Sequence, residues 1–174
     1  MTISINIALI LILGVLAYQD FRHRAVSWVF LVLLAALLVT KGLIALAFYR
    51  MGSLFLMNSL ILMAQFFLLI VYFRMKGFTF RSFWENVMGA GDFLFLLCVC
   101  LAFSPFNYIF FLVGGLFFTL IGYGLMKMIR IGSDRTIPFA GLLSLFLILF
   151  IIGGETLGKW NGYDNELVLN LIRH

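Results

Sequence analysis

The chain has 174 residues, of which 64% are hydrophobic and 11% charged, and its mean hydropathy is +1.16. A soluble domain carries about 25% charged residues, so the composition excludes an ordinary soluble protein and indicates that lipid surrounds most of the chain. The formal charge of +5 does not indicate nucleic-acid binding, because the basic residues lie in short segments between apolar runs, as in membrane proteins.

Six apolar runs divide the chain, and each predicts a transmembrane helix. In chain order they are 3–18, 28–48, 54–73, a run that contains Asp92 and ends at Phe103, 105–126 and 137–152. The first run lacks a basic segment before it and a small-residue cleavage site after it, which favours a spanning helix over a signal peptide. The sequence therefore predicts an all-α membrane protein, with a six-helix transmembrane domain over residues 1–154 and a polar C-terminal tail over 155–174.

Two of these runs allow a more detailed prediction. Asp92 to Phe103 would form only about 18 Å of helix, whereas a bilayer core needs about 20 residues, so we expect the fourth helix to begin near Asn86 or Val87. The next helix should begin at Pro105, with Ser104 as its N-cap. In the third run, Asn58 and Gln65 are seven residues apart, so we expect both on one face that is turned to the interior.

The distribution of Lys and Arg predicts how the helices are oriented. With six crossings, the odd connections share one side and carry eight basic residues: Arg22, Arg24, Arg74, Lys76, Arg81, Lys127, Arg130 and Arg135. The other side carries four, which are Lys41, Arg50, Lys159 and Arg173. The positive-inside rule then places both termini on the non-cytoplasmic side, with Asp20 and Asp92 at the cytoplasmic edge.

Asp20 and Asp92 are the candidate catalytic residues, because a carboxylate beside an apolar helix is costly and needs a reason. Two carboxyl groups about 3 Å apart share one proton. One can then act as general base on a water while the other acts as general acid on a peptide bond, and either aspartate could take either part. Gly89 and Gly91 have no Cβ, so they could let another backbone approach Asp92 or loosen the helix there.

The chain resembles the type IV prepilin peptidases in its six-helix layout and in three motifs. These are Tyr-Gln-Asp-Phe-Arg-His-Arg over 18–24, Gly-Ala-Gly-Asp over 89–92 and Ile-Pro-Phe over 137–139. The resemblance implies a multi-pass aspartic endopeptidase of the inner (plasma) membrane, with its active site at the cytoplasmic face. It would remove short basic leader peptides, usually after a glycine, from pilin-like precursors of type IV pilus and protein-secretion systems. Asp20 and Asp92 match the two catalytic aspartates of that family.

The chain also departs from the family pattern. Leu94 stands where a Lys often follows the motif aspartate by two residues, and Ala-Val-Ser over 25–27 replaces a frequent Ile-Pro-Asn. The larger members carry an insert with Cys-x-x-Cys pairs and methylate the new N-terminus, whereas here the two cysteines are Cys98 and Cys100. The chain is therefore similar to the short, peptidase-only form.

No metal site or cofactor is expected. Cys98 and Cys100 face different sides of a helix, and His23 and His174 are too few and too scattered for a metal site. Arg22 and Arg24 are interpreted as residues that set the membrane orientation of the chain. A second interpretation is that they contact acidic positions of a substrate or lipid headgroups. The expected partners are the precursor and the bilayer, and the oligomeric state is not predicted.

Three other functions stay open. A small proton-coupled transporter could use Asp20 and Asp92 as a relay, although neither is near the bilayer midplane and no inverted repeat is visible. A relative could bind pilin-like proteins without cleaving them. A presenilin-like protease would cut within the membrane, with its two aspartates on neighbouring helices.

Overall fold

The structure is a computed structural model that describes residues 2–79, 89–128, 138–156 and 162–163. These residues form six α-helices and no β-strand, which confirms the prediction of an all-α fold for the described part of the chain. The helices are α1 (Thr2–His23), α2 (Trp28–Ala45), α3 (Phe48–Met75), α4 (Ala90–Val99), α5 (Pro105–Met128) and α6 (Phe139–Thr156).

Four helices, α1, α2, α3 and α5, are long and apolar enough to cross a membrane. The two others are shorter in their apolar parts, Ala90–Val99 and Phe139–Gly153. At 1.5 Å per residue, α4 is about 15 Å long, roughly half of a bilayer core. The structure therefore supports a helical membrane protein, while six complete crossings and the sidedness of the termini stay predictions.

The helix that carries Asp92 begins later than the sequence suggested. Gly89 has extended backbone, with φ −69° and ψ 147°, and is the N-cap of α4. Asn86 and Val87 lie outside the described residues, but a helix cannot run from them through an extended Gly89, so the predicted start is wrong. Gly is among the poorest helix formers, and Gly89 and Gly91 make this stretch a poor place to continue a helix. Asp92 therefore lies in the first turn of α4.

The predictions for α5 and α3 are each half right. Helix α5 begins at Pro105 as expected, but the buried hydroxyl of Ser104 has no hydrogen-bond partner among the described residues, so the side chain is not a cap. Asn58 is fully buried, whereas Gln65 is exposed. The C-terminal half of α3 has few described neighbours, and a shared helix face is buried only where another helix covers it.

Packing fixes the direction of each helix. Phe93 near the start of α4 meets Phe66 edge-on, with ring centroids 4.7 Å apart, and Cys100 just past its end lies beside Asn58, so α4 is antiparallel to α3. Helix α5 is antiparallel to α6, and the last turn of α1 meets the first turn of α6. The C-terminal ends of α1, α3 and α5 thus share one end of the bundle with the N-terminal ends of α4 and α6. We call this the aspartate end, and the opposite end, with the 100–104 turn, the turn end.

Leucines at helical spacing on α1 and α2 form much of the core. They are Leu9, Leu13, Leu16, Leu31, Leu34 and Leu38, each at most 4% exposed. Many of the remaining large apolar side chains of the described residues face outward. Lipid is as apolar as leucine, so close packing, rather than exclusion of water, holds such helices together. At Gly115 a Cβ would lie only 2.6 Å from Leu143, which shows how closely α5 and α6 approach.

Candidate functional site at the start of the last helix

The first turn of α6 has backbone donors that its own sequence does not satisfy. The first amides of any helix have no acceptor within that helix, and an N-cap side chain usually accepts from the second or third of them. Here Pro138 precedes the helix and offers no such side chain. Two carboxylates from other helices take its place: Asp92 Oδ1 accepts from the amide of Ala140 at 3.1 Å, and Asp20 Oδ2 from that of Gly141 at 2.6 Å.

This shared capping brings the two sequence-predicted aspartates together. The amides belong to consecutive residues of one helical turn, so the two carboxyl groups lie side by side, close enough for the charge of Asp20 to act on Asp92. Asp20 is in the last turn of α1 and Asp92 in the first turn of α4. Three helices therefore meet at the pair.

The two carboxyl groups differ in accessibility. Asp20 is only 5% exposed, whereas Asp92 is partly exposed. The more exposed side of the pair is therefore that of Asp92. One oxygen of each carboxyl group accepts a hydrogen bond from an amide of α6. Because a carboxylate has about four acceptor sites, the pair can still bind a water molecule and share a proton.

Gly89 and Gly91 lie beside Asp92. As the third helical residue, Asp92 also accepts from the backbone amide of Gly89, which is the reciprocal half of a capping box. A Cβ at Gly89 would lie 3.4 Å from Asp92 Oδ2, and one at Gly91 would lie 3.4 Å from Val26 Cβ. These are ordinary contacts, so neither glycine is required by lack of space, although Gly91 does face the connection between α1 and α2.

The two arginines singled out from the sequence have different surroundings. Arg22 is exposed, donates to the hydroxyl of Tyr18 one turn earlier and lies 5.8 Å from its ring centroid. Arg24 follows the end of α1 in left-handed backbone, with φ 53°, and its charge acts on Asp20. Arg24 therefore belongs to the electrostatic surroundings of the pair, whereas Arg22 is engaged with its own helix.

Sequence reasoning missed Ala140 and Gly141, whose backbone amides hold the pair. An available signal was Pro138 before an apolar helix with no Ser, Thr, Asn or Asp at its start. Such a helix needs a cap from elsewhere. Among the described residues, no group of three His, Cys, Asp or Glu side chains gathers in a way that could hold a metal ion.

The chain was compared with protein-family models, with curated proteins and with solved structures, and none of them matches. Its function has to be inferred from the chemistry of the site. The main observation is a pair of carboxyl groups, brought together from two helices at the N-terminus of a third.

Proposed function

We propose that this protein is a membrane-embedded aspartic endopeptidase that uses Asp20 and Asp92 to activate water. The observation that carries the proposal is the pairing of the two carboxyl groups on consecutive amides of α6. Carboxyl groups in such proximity share a proton, which supplies an acid and a base at one place. The partly exposed Asp92 gives a substrate access to them.

The proposed reaction balances with one water and one peptide bond. The ionised carboxylate removes a proton from water, and the resulting oxygen nucleophile adds to the scissile carbonyl carbon. The protonated carboxyl group gives its proton to the carbonyl oxygen. When the tetrahedral intermediate collapses, the C–N bond breaks and the amine nitrogen takes the proton that the pair removed from water. One hydroxyl of the intermediate returns its proton to the other carboxylate as the new carboxyl product forms, so the pair again holds one proton.

The charge distribution supports a site at the cytoplasmic face. Among the described residues, the aspartate end carries the basic residues Arg22, Arg24, Arg74, Lys76 and Lys127. The turn end carries Lys41 and Arg50. An excess of basic residues at one end marks the cytoplasmic side of a membrane protein.

The proposed substrate is a pilin-like precursor with a short basic leader, cleaved at the inner membrane. The support is the resemblance of residues 18–24, 89–92 and 137–139 to the type IV prepilin peptidases.

A purely structural role for the two aspartates is the competing explanation, because they cap α6. Asn caps a helix about as well as Asp, but an amide cannot act as a general acid or base near neutral pH. Asp20→Asn and Asp92→Asn therefore separate the two roles, since each keeps an acceptor oxygen for the α6 amide and removes the acid–base chemistry.

The test is processing of a pilin-like precursor co-expressed with the wild type or with either Asn variant. We expect the wild type to release the leader and both variants to leave the precursor intact while accumulating in the membrane at wild-type levels. Glu155→Gln, which changes an acidic residue near the other end of α6, is the matched control and should cleave normally. Cleavage at the wild-type rate by either Asn variant would contradict the proposal.

A further inference from the structure

We infer that Gly141 is a positioning residue for the aspartate pair, because its missing Cβ lets Asp20 reach the first turn of α6 without a shift of α1. This inference rests on the proposed function and deepens it. Gly141 contributes two things at one place: its amide donates to Asp20 Oδ2 at 2.6 Å, and its missing Cβ leaves room for that carboxyl group.

Three atoms of α1 lie close to the position that a Cβ at Gly141 would take. A Cβ there would lie 3.1 Å from Asp20 Oδ2, 3.2 Å from Asp20 Cβ and 3.3 Å from the carbonyl oxygen of Ala17. Each distance is tighter than nine in ten real Cβ contacts, so a neighbouring atom would have to shift by a few tenths of an ångström. The carbonyl of Ala17 is backbone, and Asp20 Cβ is attached directly to backbone, so rotating a flexible side-chain end relieves neither contact. An alanine at position 141 requires α1 and α6 to move apart.

Movement of α1 relative to α6 changes the relation between the two aspartates. Asp92 is held to Ala140, one residue before Gly141, and sits on α4 rather than on α1. A shift of α1 therefore carries Asp20 away while Asp92 stays bonded to α6. Gly141 thus sets the separation within the pair without itself touching the substrate.

Two other glycines provide matched controls. Gly153 lies on the same helix, and a Cβ there meets nothing within 4 Å. Gly153→Ala therefore shows the effect of replacing a glycine of α6 by alanine without any crowding. Gly115 lies on α5, where a Cβ would be 2.6 Å from Leu143. Gly115→Ala therefore disturbs helix packing against α6 without crowding either aspartate.

The first experiment measures cleavage of a leader-containing precursor by purified full-length protein in detergent or liposomes. For Gly141→Ala we expect kcat per folded molecule to fall by about tenfold to a hundredfold, as for small misplacements of catalytic groups, with KM nearly unchanged. Gly115→Ala should lower the folded yield but keep kcat, and Gly153→Ala should change neither. Wild-type kcat in Gly141→Ala, or an equal loss of kcat in Gly115→Ala, overturns the inference.

The second experiment needs no activity and applies even where Gly141→Ala folds poorly. Folded yield and melting temperature are compared for Gly141→Ala, Asp20→Gly and the double variant. Asp20→Gly removes both Asp20 atoms that a Cβ at position 141 would crowd, so Gly141→Ala should cost less in the Asp20→Gly background than in the wild type. Equal costs in both backgrounds overturn the inference. If this coupling is found while the wild type cleaves no precursor, the proposed function fails and the positioning of Asp20 by Gly141 stands.

Discussion

The two ends of α4 are fastened to the rest of the bundle by different chemistry. At the aspartate end, a carboxylate of α4 and one of α1 accept from amides of α6. At the turn end, neutral groups make the contacts. Asn58 donates to the carbonyls of Cys100 and Phe103 at 2.9 and 2.7 Å, and the hydroxyl of Tyr163 donates to the backbone carbonyl of Leu101 at 3.3 Å.

The turn end shows that this fold fastens a helix terminus without charge. There the carbonyl of Gly162 accepts from the Ser104 amide and the Asn107 side chain, both at 2.9 Å. A Ser, Thr or Asn could have capped α6 equally well. Two adjacent carboxyl groups in an apolar setting cost more than such a cap, and this extra cost points to a role beyond fastening.

The largest expected effect concerns how the two carboxyl groups act together. Asp20→Asn and Asp92→Asn should each lower kcat/KM by about 10²–10⁴-fold, the usual range for loss of acid–base catalysis. Because the pair acts as one unit, the double variant should lose hardly more than either single variant. Precursor cleavage by the three purified variants measures this. If the loss of kcat/KM in the double variant equals the product of the two single losses, the carboxylates act independently.

The opposite end should respond to substitution in stability and not in catalysis. Asn58→Leu leaves two buried carbonyls without their donor, and we expect it to lower the free energy of unfolding by about 2–4 kcal/mol. Cleavage per folded molecule should stay close to the wild-type value. Gln65→Leu is the matched control on the same helix, because Gln65 is exposed, and it should leave the unfolding curve almost unchanged.

A smaller effect distinguishes capping from catalysis at the aspartate end. Asp92→Ala removes both the carboxyl chemistry and the acceptor for Ala140, whereas Asp92→Asn removes only the chemistry. We expect both to be inactive and the Ala variant to be less stable by about 1 kcal/mol, the usual worth of a cap. Thermal melting compares them, and equal stability would mean that the bond to Ala140 contributes little.

The smallest effect is a pH dependence at the turn end. Burial raises the pKa of Tyr163 from 10.0 to about 12, so its hydroxyl keeps its proton and remains a donor through the neutral range. The stability that the protonated Tyr163 hydroxyl contributes to the folded state is fully present below pH 10 and is lost as the pH rises from 10 to about 12. Tyr163→Phe should cost about 1 kcal/mol at pH 7 and remove this alkaline loss. Melting temperatures from pH 7 to 11 measure both.

Sequence reasoning succeeded where the signal is local. Hydropathy identified the apolar helices, and Ser104-Pro105 marked the start of α5. It failed at Gly89, because the start of α4 was predicted from the length that a membrane-spanning helix needs, whereas α4 is only 10 residues long. It also failed at Gln65, because spacing along one helix does not say which part of its face a neighbour covers.

By itself, the sequence determined that the chain forms apolar helices and that Asp20 and Asp92 lie where such helices end or begin. Those properties depend on composition and on neighbours along the chain. Only the tertiary structure decided that both carboxylates bind the first turn of α6 and that Gly141 faces Asp20, which is 121 residues away in sequence. No local pattern encodes a contact over that separation, because it exists only once α1, α4 and α6 pack together.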